Sequence, residues 1–397
     1  MFFKEHPFLT LGWLAAVFGL FLYSFTQIDL GLTLTQISFW QTIQTNFQYI
    51  GYFNRPLSTN LFLGMMFLLT LFYLLFLRQG EKGGLKKKLV WRLVFLTAFV
   101  LLFSYNAFSH DLFNYIFDAK IVTFYNDNPY QHKALDYHDD PMLGFMHWTH
   151  RTYPYGPLWL GLTVPLSFLG FQKLLFTIYL FKGLVIASYL AICWVIYQIL
   201  ARTKGKKEAL LGLVFFAFNP LIIVEGLVSA HNDLVMMAFL MLGLLFLVRE
   251  KRLPAFLLLG LSIAVKFATG LLLPVFLVVA YLQIRKKKIN WDWVWLFSVL
   301  LMLGGIIAAS LRLEFQPWYI FYCLSLLALL VKKQILQGLS VIFSIGLLFY
   351  YVPFLYLGNW DPPIPTFKIA LLVTLGVFSL IWIIFFGKAG GGRGKKS

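Results

Sequence analysis

Runs of roughly 20 apolar residues, the length a helix needs to cross about 30 Å of hydrocarbon, recur along almost the whole chain. No water-soluble core can absorb so many of them. Of 397 residues, 60% are hydrophobic and 12% charged, where an ordinary soluble domain carries roughly 25% charged residues; mean hydropathy is +0.78. The residue-by-residue alternation of a membrane barrel is absent, so the backbone groups within lipid must be satisfied inside helices. The chain reads as an all-α, polytopic transmembrane protein of about 11–13 passes.

A net charge of +17 would point to nucleic acid in a soluble protein, but here the cations fall in short clusters between apolar runs, which is a topological signal. The clusters are Arg78 to Arg92, Arg202 to Lys207, Arg249 to Arg252, Arg285 to Lys288, Lys332 with Lys333, and the tail from Lys388. Placing each on the cytoplasmic side of a cell (cytoplasmic) membrane puts both termini inside and the polar loops outside. No nucleic-acid partner is expected. Cys193 and Cys323 lie in separate apolar runs and read as packing residues. The run Phe8 to Phe25 has no small-residue cleavage site and reads as a retained anchor.

Residues 1–388 read as one integral membrane domain and 389–397 as a flexible basic tail. Crossings are expected near Phe8–Phe25, Leu57–Leu77, Trp91–Phe108, Leu174–Ile199, Ala209–Val224, Leu234–Val248, Trp293–Leu311, Trp318–Val331, Ile335–Tyr351 and Phe367–Phe386. Two stretches resist simple threading. Residues 253–284 are flanked by positive charge on both sides, which calls for a re-entrant helix pair turning at Lys266 to Gly270. Residues 157–171 fit an interfacial half-helix. Residues 109–156 form a polar, aromatic, turn-rich extracytoplasmic loop, whose early part, DLFNYIFDAKIVTFY, has the spacing of an amphipathic surface helix.

The chemistry-bearing residues gather in the outward segments. Asp111, beside His110 at the exit of the third crossing, is placed to take a proton from a hydroxyl as a general base; the same position suits a helix N-cap. ALDYHDDPMLGFMHWTHR offers His138, Asp139 and Asp140, a possible set for a divalent metal ion, although the spacing matches no tight motif and also suits a solvated loop. In TYPYGPLWL, Tyr153 and Tyr155 could stack on a sugar or anchor the interface. NPLIIVEGLVSAHND places Glu225, His231, Asn232 and Asp233 in an apolar setting where charge is expensive. Lys266 and Arg312 could neutralise a departing phosphate. Outward acids, cations near the same leaflet and many aromatics point to an enzyme acting on a lipid-linked polar substrate.

The order of four pieces carries a family likeness: SHDLFNYIFDAK with downstream NPY at Asn128 to Tyr130, YPYGPLW, NPLIIVEGLVSAHNDLVM, and LLLGLSIAVKFATGLLLP. Over roughly Trp91 to Tyr319 the chain resembles the GT-C integral membrane glycosyltransferases, particularly bacterial polyprenyl-phosphate-mannose-dependent alpha-mannosyltransferases. The resemblance implies a polyprenyl-phosphate sugar as donor, a glycan or lipid acceptor, Asp111 as the base with His110 and Tyr115 in the matching motif, and juxtamembrane helices after the loop. Asp118 and Lys120 depart from the Gln-Gly pair more usual in such relatives. A secondary transporter or lipid-linked glycan flippase is the rival reading, since broken helices and intramembrane charges also build transport sites; the internal repeat common in transporters is absent.

Overall fold

A computed structural model describes residues 6–311, 314–331 and 333–391, with side chains to residue 385. Arg312, Lys332 and the end of the basic tail lie outside the described residues. Within them the chain is helical, without a β-strand; one isolated backbone bridge joins Lys133 to Thr152. The first helices are α1 (Pro7–Ser24), α2 (Ser38–Gln48), α3 (Arg55–Lys82) and α4 (Lys87–Leu102). α3 shows how local sequence sets the ends. Asn54 accepts a bond from the Leu57 amide at its start, and Gly83, at φ 76°, lets Gly84 reach the Gln79 carbonyl at its finish.

Next come α5 (Asp111–Thr123), α6 (Pro157–Leu169), α7 (Leu174–Thr203) and α8 (Lys206–Ala217), a π-helical segment Ile222–Val228, and α9 (Asp233–Val248). α10 (Arg252–Val265) stops at Lys266, whose backbone is extended; a 3-10 turn (Phe267–Leu272) then leads into α11 (Leu273–Ile284). α12 (Trp291–Ser310), α13 (Phe321–Leu327), α14 (Gln334–Gly346), α15 (Val352–Leu357) and α16 (Ile364–Gly391) complete the bundle.

Among the described residues, seven helical stretches are long and apolar enough to cross a membrane, or eight if the pair Lys206–Ala217 and Ile222–Val228, bent by 64°, is one broken span. α6, α9, α10 and Pro317–Leu327 are apolar but shorter, below the usual range of about 17–25 residues. By length and composition alone, then, seven or eight of the expected 11–13 passes stand out as single long helices, and the shorter apolar helices pack among them. α2 was not anticipated, although Phe39, Trp40, Ile43 and Phe47 recur at helical spacing, because residues 26–56 lack the long apolar run of a crossing. Pro220 makes the 64° break, having no amide to bond back into α8, and Asn219 closes it: its side-chain oxygen accepts from the Leu221 amide (3.0 Å) and its nitrogen donates to Ser344 Oγ (2.9 Å).

α8, the π-helical segment and α9 are buried on nearly every side, as expected of helices that are apolar all round. Outer helices present large side chains such as Phe297, Leu300, Phe378 and Phe385 to the surroundings. The basic connections meet at one end of the bundle. Lys204 binds Asp292 (2.6 Å) and the Leu329 carbonyl (3.0 Å), His6 contacts the Gly84 carbonyl (3.0 Å), and Lys87 lies 4.7 Å over the Tyr197 ring. α4 and α10 lead from the basic connections at Lys87 and Arg252 to the polar residues that follow Leu102 and Val265, whereas α8, 12 residues long, ends at the Asn219 break.

Candidate active site

α5 spans the expected helical stretch, but its setting is different: residues 111–117, 119 and 121 are buried, and Asp118 and Lys120 are half-buried. The amphipathic surface helix is thus a helix enclosed by protein. Its polar side is covered because the following loop folds back over it. Asn114 donates to the His147 carbonyl (2.7 Å), and Lys120 pairs with Asp140. The loop holds itself by Tyr137 bonding Asp127 (2.8 Å), the stacked Tyr125 and Tyr137 rings (3.9 Å), and Tyr153 N bonding the Pro129 carbonyl (2.9 Å).

His110, not Asp111, occupies the cap position of α5 and makes no cap bond through its ring, while the Asp111 amide is taken by Ser109 Oγ (3.2 Å). The Asp111 carboxylate instead faces His231 Nδ1 at 3.5 Å. The other ring nitrogen, Nε2, donates to Glu225 (3.2 Å), and Glu225 accepts in turn from the Tyr351 hydroxyl. Both His231 and Glu225 are fully buried. With a carboxylate at each nitrogen, the doubly protonated imidazolium is the form that satisfies both sides. Burial disfavours that cation, but the two carboxylates outweigh burial and lift His231 to about 9. The indole of Trp318 lies face to face with the ring at 3.8 Å, the geometry of a cation–π contact. Burial pushes Asp111 up, while His231, helped by Arg151 and Lys266, pulls harder and holds it below the usual carboxylate value.

Two residues further on, Asp233 accepts from Lys266 Nζ (2.7 Å) and from the Tyr322 hydroxyl through the same oxygen. Asp233 does not cap α9; Asn232 stands at that position. Lys266 lies 6.0 Å from the Tyr155 ring and 5.6 Å from Tyr319. Behind them Tyr115 is buried edge-on against Tyr155 (5.3 Å) and Trp159 (5.2 Å), while Tyr153 donates to the Gly156 carbonyl (2.9 Å). The Gly156 amide bonds the Val265 carbonyl (3.1 Å), so the start of α6 is fastened to the break that presents Lys266. Both side-chain atoms of Asn232, with Ser229 Oγ and Asp233 Oδ2, are buried without a hydrogen-bond partner among the described residues. Buried polar groups are normally paired, and a polar ligand would satisfy such a group.

Asp111 and His110 line a cavity of about 700 Å³ together with His147, Trp148, Glu314, Trp318, Tyr351 and Lys368, within the volume range of small-molecule sites. His110 stacks on His147 at 3.8 Å; burial first and then the neighbouring imidazole push His110 down to about 4. Burial likewise pushes His147 down, so at this end of the cavity the Asp111 carboxylate stands beside two imidazoles that resist protonation.

Residues 13–282 match the MptA_B family model, described as alpha-(1->6)-mannopyranosyltransferase, N-terminal domain. The chain belongs to this family. It is thus a membrane-embedded glycosyltransferase of a mannosyltransferase family. No curated protein and no solved structure matches it. Asp111, Glu225, His231, Asp233 and Lys266 all lie within the part that matches the mannopyranosyltransferase family, whereas Trp318, Tyr322, Tyr351 and Lys368 come after it.

Of the residues singled out from sequence, Asp111, His110, Tyr115, Tyr155, Glu225, His231, Asp233 and Lys266 form one connected neighbourhood, and Arg312 falls outside the described residues. Among the described residues no three His, Cys, Asp or Glu side chains come together as a metal site. In the set His138, Asp139 and Asp140, the last is already engaged: it accepts from Lys120, from Tyr125 (2.7 Å) and from the Met142 amide (2.9 Å). Sequence reasoning missed Tyr322 and Tyr351, which looked like ordinary aromatics in apolar runs. It also passed over Lys182, fully buried in α7 and donating to Ser104 O (2.8 Å), Ser104 Oγ (2.7 Å) and Val228 O (3.2 Å). A lone lysine inside so long an apolar run was a legible signal.

Proposed function

We propose that the chain transfers mannose from a polyprenyl-phosphate carrier to an acceptor hydroxyl on the extracytoplasmic side of the cell membrane, with inversion and with Asp111 as the single base. The observation that carries the reading is the Asp111 carboxylate, exposed to a substrate-sized cavity on one side and held by the His231–Glu225 pair on the other. Both termini are then cytoplasmic, in agreement with the basic connections meeting at the end away from the site.

A carboxylate held below its usual range is a weak base toward an alcohol. It suffices if the proton leaves late. As the acceptor oxygen bonds to the anomeric carbon it gains positive character and its proton becomes acidic, so Asp111 needs only to be ionised and in line. Phosphate leaves from the opposite face without requiring a general acid, and Lys266 stands in the neighbourhood where its developing charge would be met. Arg312 is proposed for the same task.

The test is transfer of radiolabelled mannose from polyprenyl-phosphate mannose by membranes containing the protein. Asp111→Asn is expected to lose activity by about 100-fold or more, the usual scale for removing a general base; full activity would overturn the assignment. A chelator in the same assay tests whether a divalent ion is required.

A further inference from the structure

The cavity that Asp111 opens into has a second wall, built by the part of the chain beyond residue 282. Lys368, near the start of α16, places its ammonium 4.2 Å from the Trp360 ring and 4.4 Å from the Tyr350 ring, and 2.7 Å from Glu314. Tyr350 bonds the same Glu314 oxygen (2.9 Å), and Trp360 is fixed by stacking on Phe354 at 4.5 Å. All five residues line the cavity. A lysine carries much rotamer freedom, and two rings and a carboxylate remove it here before anything binds. An ion pair on an aromatic shelf has no role in the transfer chemistry at Asp111.

We propose that the Lys368–Glu314 pair is the subsite that holds the acceptor saccharide. The pair presents a fixed donor beside a fixed acceptor, which matches neighbouring hydroxyls of a sugar: one accepts from the ammonium while the other donates to the carboxylate. Its net charge is zero. A phosphate would find the cation already neutralised and a carboxylate facing it, so this wall selects a neutral polyhydroxylated chain rather than the anionic end of the donor. Trp148, half-exposed in the same cavity, offers a ring for an apolar sugar face. Lys266, which serves the phosphate, does not line this cavity wall, so donor and acceptor meet Asp111 from different sides. The inference rests on the reading of Asp111 as the transferase base.

The experiment uses the full chain, polyprenyl-phosphate mannose as donor and octyl α-mannobioside as acceptor. Lys368→Met and Glu314→Gln should each raise the acceptor KM about tenfold, as loss of one charge-assisted contact implies, and leave the donor KM where it was. Lys368→Arg should retain most of the acceptor affinity, which separates loss of the contact from loss of the fold. In parallel, binding of the mannobioside alone to the purified chain is read by saturation-transfer NMR, with Asp111→Asn expected to bind and Lys368→Met to fail. If wild type transfers no mannose but Lys368→Met still abolishes binding, the transferase reading falls and the subsite stands. An unchanged acceptor KM in Lys368→Met, a shift in donor KM instead, or no binding of the mannobioside by wild type overturns the subsite.

Discussion

His231 Nδ1 stands 3.5 Å from the Asp111 carboxylate, closing a chain of contacts that begins at Tyr351 and passes through Glu225. In the folded protein the imidazolium persists to about pH 9, whereas the free side chain loses its proton near 6.5. Its stabilising contribution is therefore complete below about 6.5 and is lost as pH rises through about 9. Transfer should fall over the same upper window, because a neutral ring no longer fixes the base. Glu225→Gln removes one of the two carboxylates that hold the proton, so the alkaline limb of kcat/KM should move to lower pH. A limb that stays in place would show that His231 does not act through its charge.

Lys266 and Asp233 make a pair that can be dismantled in two ways. Lys266→Met leaves Asp233 buried with Tyr322 alone, costing roughly 1–3 kcal/mol of stability, and raises the donor KM. Adding Asp233→Leu should recover much of the lost thermal stability and none of the donor affinity. Recovery of both in the double variant, measured by thermal unfolding and by donor titration, would reduce Lys266 to a structural role.

Gly156 packs so closely on the end of α10 that a Cβ would lie 2.8 Å from the Ala264 carbonyl carbon and 3.1 Å from the Val265 oxygen. Gly156→Ala must therefore push α6 away from the break that presents Lys266, at a cost of about 1–3 kcal/mol. We expect a lower Tm and a raised donor KM. Gly161→Ala, on the same helix with nothing within 4 Å of its Cβ, should leave the donor KM unchanged and hold or raise Tm, since alanine is the better residue in a helix interior.

Asp118 is lifted to about 7, chiefly by burial, with Asp111 adding to the shift and Arg151 opposing it. Between about pH 4 and 7 the unfolded chain has lost this proton and the folded chain keeps it, so Asp118 lowers stability as pH rises across that interval. Asp118→Asn should flatten this part of the stability profile, read as Tm against pH in detergent. A slope equal to that of wild type would place Asp118 in a wetter setting.

Much of the architecture was legible because lipid imposes it. Apolar run length located α1, α3, α7, α12 and α16, and the lysine at 266 marked the break between α10 and α11. The connected neighbourhood of Asp111, His231, Glu225, Asp233 and Lys266 could be suspected residue by residue, since each is costly in an apolar environment. Their pairing could not: Glu225 to Tyr351 joins residues 126 apart, and nothing local in an apolar run tells which tyrosine will bond a carboxylate. The surface placement of α5 was misjudged for a related reason. Its alternation of polar and apolar residues is the same whether water or a folded-back loop covers the polar side.

The face-to-face contact of His231 with Trp318 joins the two portions of the chain. The imidazolium is charged by carboxylates from the matched portion and covered by an indole from beyond it. A chimera that exchanged the region after residue 282 between two members of the family would need to carry Trp318 and Tyr351 with it to keep the proton chemistry running. Tyr322, which bonds Asp233, and Ser344, which bonds Asn219, would have to travel with them, and exchanging what is left of the region then tests whether it is the part that selects the acceptor.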